Sequence, residues 1–327
     1  MKKLKPIISK HISVNHITKC CNEDIKSFIE NFYRLEYTWL YNAYNTFKDL
    51  EKYLILVFLI NKTLKIYRDH FYSLPFQSFY ELDKIEIEKI DIVEIVRELS
   101  ISKETVRRKL NELNKQGIII RNKKQISIIN PFINQKPITN INELSKLLSW
   151  ISFVLNKIYG MDLCDDKHFL NLIKKNYTLY WNIFLNFQFQ YVIVVKKLFG
   201  SFDNFFIFGV CILNQSFNLK NAVSSEKKSL VNLLNFTEVL TNYTKDKSKG
   251  LNASSISDLT GMPRASVIRK LKILEKKKLI KKNKDKLFVV TTPKEHPETF
   301  KKIRKTFDKN QLLLRQCIKE LLNQMII

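Results

Sequence analysis

One stretch of this chain occurs twice. Residues 95–123 (IVRELSISKETVRRKLNELNKQGIIIRNK) superpose without a gap on residues 256–284 (ISDLTGMPRASVIRKLKILEKKKLIKKNK) at an offset of 161, and 10 of the 29 positions are identical. The identities are Ile95/Ile256, Val106/Val267, Arg108/Arg269, Lys109/Lys270, Leu110/Leu271, Leu113/Leu274, Lys115/Lys276, Ile119/Ile280, Asn122/Asn283 and Lys123/Lys284. A shared fold is the simplest cause, and 327 residues suit two units at roughly 150 residues each. Upstream of each copy lies an apolar, aromatic segment, DLEKYLILVFLIN at 49–61 and GSFDNFFIFGVCILN at 200–214. Each of these follows another aromatic run, at 31–47 and 176–195. With only 6 Gly and 7 Pro, the chain has little material for turn-rich β architecture. The expected fold is therefore mainly α with small β-hairpins.

Periodicity identifies the elements inside each copy. Val106, Leu110 and Leu113 recur at helical spacing, as do Ile92, Ile95, Val96 and Leu99 just before them, which predicts two short amphipathic helices. Ser102 is placed to cap the second helix. In the other copy the joint is TGMP (260–263), where Gly261 suits a tight turn and Pro263 the first turn of a helix. Apolar runs then flank a basic tip, GIII–RNKKQ–ISII at 117–129 and LI–KKNKDK–LFVV at 279–290, which reads as a two-stranded hairpin with a charged end. Helix, turn, helix and hairpin make a winged helix-turn-helix.

RELSISKETVRRKLNELNKQGII resembles the helix-turn-helix core of bacterial transcriptional regulators, and GMPRASVIRKLKILEKKKLI is similar to the equivalent stretch of MarR-like and IclR-like proteins. The tail TTPKEHPETFKKIRKTFDKNQLLLRQCIKELL resembles the long C-terminal helix that MarR-like proteins use to dimerise. Where the first copy has Gly117 after its second helix, the other has Lys278, and the aromatic helices match no named family. These resemblances imply two tandem winged helix-turn-helix modules. The expected boundaries are a basic tail at 1–24, a first half at 25–160 with its winged helix near 85–131, and a second half at 161–327 with its winged helix near 226–292.

A recognition helix points its N-terminal residues at base edges and its flanks at phosphates. The candidates are Lys103, Glu104, Thr105, Arg107, Arg108 and Asn111 in the first copy, and Arg264, Ser266, Ile268, Arg269 and Lys272 in the second. Arg can pair with guanine, Asn with adenine and Glu with cytosine, while Thr105 and Ile268 offer methyls to thymine. The wing tips add Arg121, Lys123 and Lys124, and Lys281, Lys282, Lys284 and Lys286, for phosphates. Arg108 and Arg269 are equally suited to a salt bridge that supports the fold. The net charge is +25, and residues 103–124 and 264–286, 45 residues together, carry +15 of it. A general lysine bias would have spread that charge evenly, so double-stranded DNA is the expected partner.

Other chemistries find little support in the residues. His11, His16, Cys20 and Cys21 lie close in sequence, as do Asp162, Cys164, Asp165, Asp166 and His168, but neither group has a recognised metal-ligand spacing. No phosphate-binding loop, dinucleotide fingerprint, GxSxG or HExxH occurs, so no enzyme, cofactor or metal is expected. The five cysteines form no CxxC pair, which suits a reducing cytoplasm. Asn182, Asn186, Gln188 and Gln190 interrupt the longest apolar run, so no membrane span is expected. The expected function is a sequence-specific regulator acting as a fused pseudo-dimer on an imperfect palindrome, as a monomer or homodimer. A plasmid-type replication initiator and a protein-binding winged helix are the alternatives, and the aromatic runs are expected to pack as core or to line an effector pocket.

Overall fold

The computed structural model describes residues 11–87, 91–122, 125–129, 138–223, 250–292 and 294–326. Helices dominate. In chain order they are α1 (Val14–Glu23), α2 (Ile25–Phe47), α3 (Leu50–Asp69), α4 (Phe76–Tyr80), α5 (Ile92–Leu99), α6 (Lys103–Lys115), α7 (Ile138–Tyr159), α8 (Asp166–Lys175), α9 (Tyr177–Phe199), α10 (Phe202–Val223), α11 (Ala253–Thr260), α12 (Arg264–Lys276) and α13 (Pro297–Ile326). The strands are β1 (Lys84–Ile87), β2 (Ile119–Asn122), β3 (Gln125–Ile129), β4 (Ile280–Lys282) and β5 (Phe288–Val290).

The chain divides into two compact units, and each is discontinuous in sequence. The first comprises residues 1–20, 49–193 and 313–327, the second 21–48 and 194–312. The sequence divides instead into consecutive halves at residue 160, because nothing local in residues 21–48 tells which later helix they pack on. The supposed basic tail is folded from Val14 onward, with Ile12, Ile17, Cys20 and Cys21 buried. Residues 226–249 of the proposed second winged helix lie outside the described residues, as do Lys123 and Lys124.

In the first unit α3 is the scaffold. Its face from Leu50 to Leu64 is almost wholly buried, and it packs on α5, α6 and β1. The sheet has three antiparallel strands in the order β1–β3–β2, one more than the hairpin read from the sequence. The extra strand, KIEI, alternates exposed and buried residues but is too short to stand out before it pairs. Asparagines that interrupt the apolar run of α9 close a hydrogen-bonded ring with α3: Asn61 Nδ2 donates to Asn186 Oδ1 (2.8 Å), Asn186 Nδ2 to Asn182 Oδ1 (3.4 Å), and Asn182 Nδ2 to Asn61 Oδ1 (2.9 Å). Each buried amide is thereby satisfied, the condition on which buried polar groups are tolerated. The unit also joins its outermost segments, since Ile12 N donates to Asn323 Oδ1 and Asn323 Nδ2 to Ile12 O, both at 2.8 Å. Tyr180 Oη reaches the Gln324 carbonyl at 3.2 Å.

In the second unit α10 takes the scaffold role and packs on α2, α11, α12 and β5. Among the described residues its sheet is the β4–β5 hairpin, extended by a bridge from Leu251 to Phe288. The aromatic runs supply core in both units, since Tyr33, Trp39, Tyr44, Tyr177, Tyr180, Trp181, Phe184 and Phe187 are buried, whereas Tyr37 is half-buried and Tyr41 exposed. Among the described residues, no helix is long and apolar enough to cross a membrane, and no three His, Cys, Asp or Glu side chains gather as a metal site.

Candidate nucleic-acid interface

The residues after α5 cannot continue the helix, and the geometry shows why. Ser100 adopts a left-handed conformation (φ 51°), Ile101 turns into the core, and Ser102 caps α6 by accepting a hydrogen bond from Thr105 N at 3.2 Å. The second unit solves the same joint with other residues. Gly261 is left-handed (φ 70°), Met262 is the buried plug, and Pro263 sits at the N-cap of α12, one residue before the helical position expected from the sequence. A Cβ at Gly261 would also stand 2.6 Å from the Asn45 side-chain oxygen, so a larger residue there would have to displace that amide as well as adopt the left-handed backbone.

The helix ends are equally alike. After α6, Gly117 is left-handed (φ 68°) and Ile118 N bonds Leu113 O at 3.0 Å; after α12, Lys278 is left-handed (φ 59°) and Leu279 N bonds Leu274 O at 3.0 Å. Lys278, the departure from the glycine of the first copy, thus keeps the glycine conformation. A side chain in that region costs about 1 kcal/mol, so Lys278→Gly is expected to raise the urea midpoint of the second unit by an equivalent of roughly 0.5–1 kcal/mol.

The stripes Val106, Leu110, Leu113 and Val267, Leu271, Leu274 are buried, and the opposite faces of both helices are open. Lys103, Glu104, Arg107, Arg108 and Asn111 are exposed on α6, as are Arg264, Arg269 and Lys272 on α12. Thr105, Ser266 and Ile268 are half-buried, and the Thr105 hydroxyl accepts from the Ser102 hydroxyl at 2.8 Å, so these three are less accessible than the sequence suggests. Arg108 pairs with Glu112 at 3.3 Å one helical turn on, and Arg269 donates to the Ser266 hydroxyl at 3.1 Å. An exposed pair of this kind is worth under about 1 kcal/mol, so Arg108 can exchange it for a phosphate or a base.

Arg121 and Asn122 are exposed, and Arg121 N is fixed by the Asn114 side-chain oxygen at 3.0 Å. In the second wing Asn283 Oδ1 accepts from Asp285 N (3.0 Å) and Leu287 N (2.9 Å), which stiffens a tip whose Lys284 and Lys286 are exposed. Lys282 is exposed beside the Phe288 ring. Lys281 is half-buried and ion-paired with Glu295, which anchors the wing.

Sequence reasoning assigned no role to one pair of residues. Lys109 and Lys270 occupy the same repeat position, and each grips an aspartate at the start of the scaffold helix: Lys109 pairs with Asp49, and Lys270 with Asp203 at 3.0 Å. Lys109 is nearly inaccessible, and Glu112 lies 3.8 Å from it. Lys52 also reaches Glu112 at 3.0 Å, and this bond, with the positive charges of Lys109 and Arg108, holds the Glu112 carboxyl below its usual range. The sequence did hold a signal, since position 109 falls on the same face as Val106 and Leu113, where a lone lysine needs a partner.

A DeoR-like helix-turn-helix family model matches residues 86–132, which span the end of β1, α5, α6 and the β2–β3 hairpin. The match supports a DNA-binding helix-turn-helix domain in the first unit, with double-stranded DNA as its partner, and does not bear on the MarR-like and IclR-like resemblance of the second copy. No curated protein and no solved structure matches the chain.

Proposed function

We propose that this protein is a transcriptional regulator that reads double-stranded DNA with two winged helices carried on one chain, as a fused pseudo-dimer on an imperfect palindrome. The observation that carries this reading is the agreement of the two units at the offset of 161: α5 with α11, α6 with α12, and left-handed residues at both joints and both helix ends. In each unit a lysine paired with an aspartate of the scaffold helix and an open cationic face recur. Two different recognition faces call for two different half-sites, about one DNA turn or roughly 34 Å apart. The protein acts by binding, with no catalytic step.

Selection of duplex sites from random sequence, followed by footprinting, tests this. One chain per site and two unequal half-sites are the expected result. Perfectly symmetric sites occupied by two chains would overturn the pseudo-dimer, and a log affinity independent of log salt would overturn DNA binding itself, because each phosphate contact contributes a slope of about −0.9.

A further inference from the structure

The C-terminal helix α13 carries a second row of cations that the winged-helix reading leaves without a role. Lys301, Lys302, Arg304, Lys305 and Lys309 are exposed along its first half, against two exposed acids, Glu298 in the first turn and Asp308, 3.9 Å from Arg304. This arrangement opposes helix formation. Lys301/Arg304, Lys301/Lys305, Lys302/Lys305 and Lys305/Lys309 are like-charged neighbours one turn apart. A sequence that keeps such a row is best explained by an external polyanion. The dimerisation role suggested by resemblance fits less well, because the apolar residues Phe300, Ile303, Leu314, Cys317, Ile318, Leu321 and Leu322 are already buried within one chain.

We propose that residues 301–309 form a phosphate-binding surface that extends the footprint of the second winged helix along the DNA backbone. This rests on the DNA-binding reading of that unit. Three observations favour duplex DNA over another polyanion. β5 ends only six residues before α13 begins, and the Lys281–Glu295 ion pair ties the base of the wing to the start of the helix. The row from Lys301 to Lys309 is about 12 Å long, a length over which one strand presents a phosphate every ~3.4 Å of axis. Finally, the exposed side chains described in this stretch are all charged, which suits a phosphate backbone.

The test is fluorescence anisotropy of the full chain on a duplex, titrated across salt, for the parent, for Lys301→Gln/Lys305→Gln/Lys309→Gln, and for a control that removes three exposed lysines elsewhere, Lys65→Gln/Lys167→Gln/Lys175→Gln. The α13 variant is expected to lose about two to three units of salt slope and at least tenfold in low-salt affinity. It should keep the parent's preferred sequence and show a thermal midpoint equal to or above the parent's, because repulsion is relieved. The control is expected to keep the parent slope. An α13 variant indistinguishable from the parent, or a control that loses as much slope, overturns the proposal while leaving DNA binding intact. A parent that shows no salt-dependent duplex binding instead removes the reading on which the proposal rests.

Discussion

Asp49→Ala is expected to destabilise the first unit by about 3 kcal/mol, the largest single-residue effect foreseen here. Asp49 has two duties. Its carboxylate caps α3 by accepting from Lys52 N at 2.9 Å, and it neutralises Lys109, whose side chain is only 7% exposed. Alanine removes both and leaves an ammonium in the core with Glu112 at 3.8 Å as a poorer partner. Asp49→Asn separates the two duties, because the amide oxygen can still cap while the charge is gone, and it is expected to cost about 2 kcal/mol. Adding Lys109→Met to Asp49→Ser should recover most of the loss, since the hydroxyl caps and no charge is left stranded. The equivalent change in the second unit, Asp203→Ala, should cost about 1 kcal/mol or less, because Lys270 and Asp203 are 26% and 35% exposed and water screens the pair. Urea unfolding of the five variants decides the matter, and an Asp49→Asn protein within 0.5 kcal/mol of the parent, a bound set by ordinary surface substitutions, would remove Lys109 from its role in fixing the recognition helix.

The second large effect concerns binding. Arg107→Ala/Arg108→Ala and Arg264→Ala/Arg269→Ala are each expected to weaken binding to a selected site by about 100-fold or more, since one arginine contact to a base contributes roughly 1–3 kcal/mol. None of these arginines is held by a strong internal bond. Arg264 donates to the Ser254 hydroxyl at 3.1 Å, Arg269 to Ser266 at 3.1 Å, and Arg108 to an exposed carboxylate. All four side chains are exposed, so the folded state should be unaffected. If both modules occupy one site, each double variant loses discrimination in its own half-site only, and the quadruple variant retains the salt-dependent, sequence-independent remainder. A first-unit variant that binds the selected site like the parent would show that the DeoR-like segment is not the reader.

The parts of the fold written in local pattern were legible. The bounds of α5 and α6 follow from Ile95, Leu99, Val106, Leu110 and Leu113, and Ser102 marks the start of α6 by chemistry that needs no tertiary partner. The turn positions were legible wherever glycine announced them. They were hidden where Ser100 and Lys278 take the same left-handed backbone, because neither residue type signals that conformation. What could not be read was long-range. The Lys109–Asp49 pair joins residues 60 apart, the third strand of the first sheet exists only through β3, and α2 belongs with helices that begin some 150 residues later. Lys281 illustrates the same limit at the interface, since the sequence shows its charge but not the Glu295 that takes it.

The clasp between Ile12 and Asn323 bears on the order in which the protein can be made. The first unit draws residues 313–327 into a body whose other parts were synthesised more than a hundred residues earlier. A nascent chain that has already extruded its DeoR-like segment therefore cannot close the Ile12–Asn323 clasp or the Tyr180–Gln324 bond until the far end of α13 emerges from the ribosome, which makes that helix end a checkpoint for the maturation of the first unit.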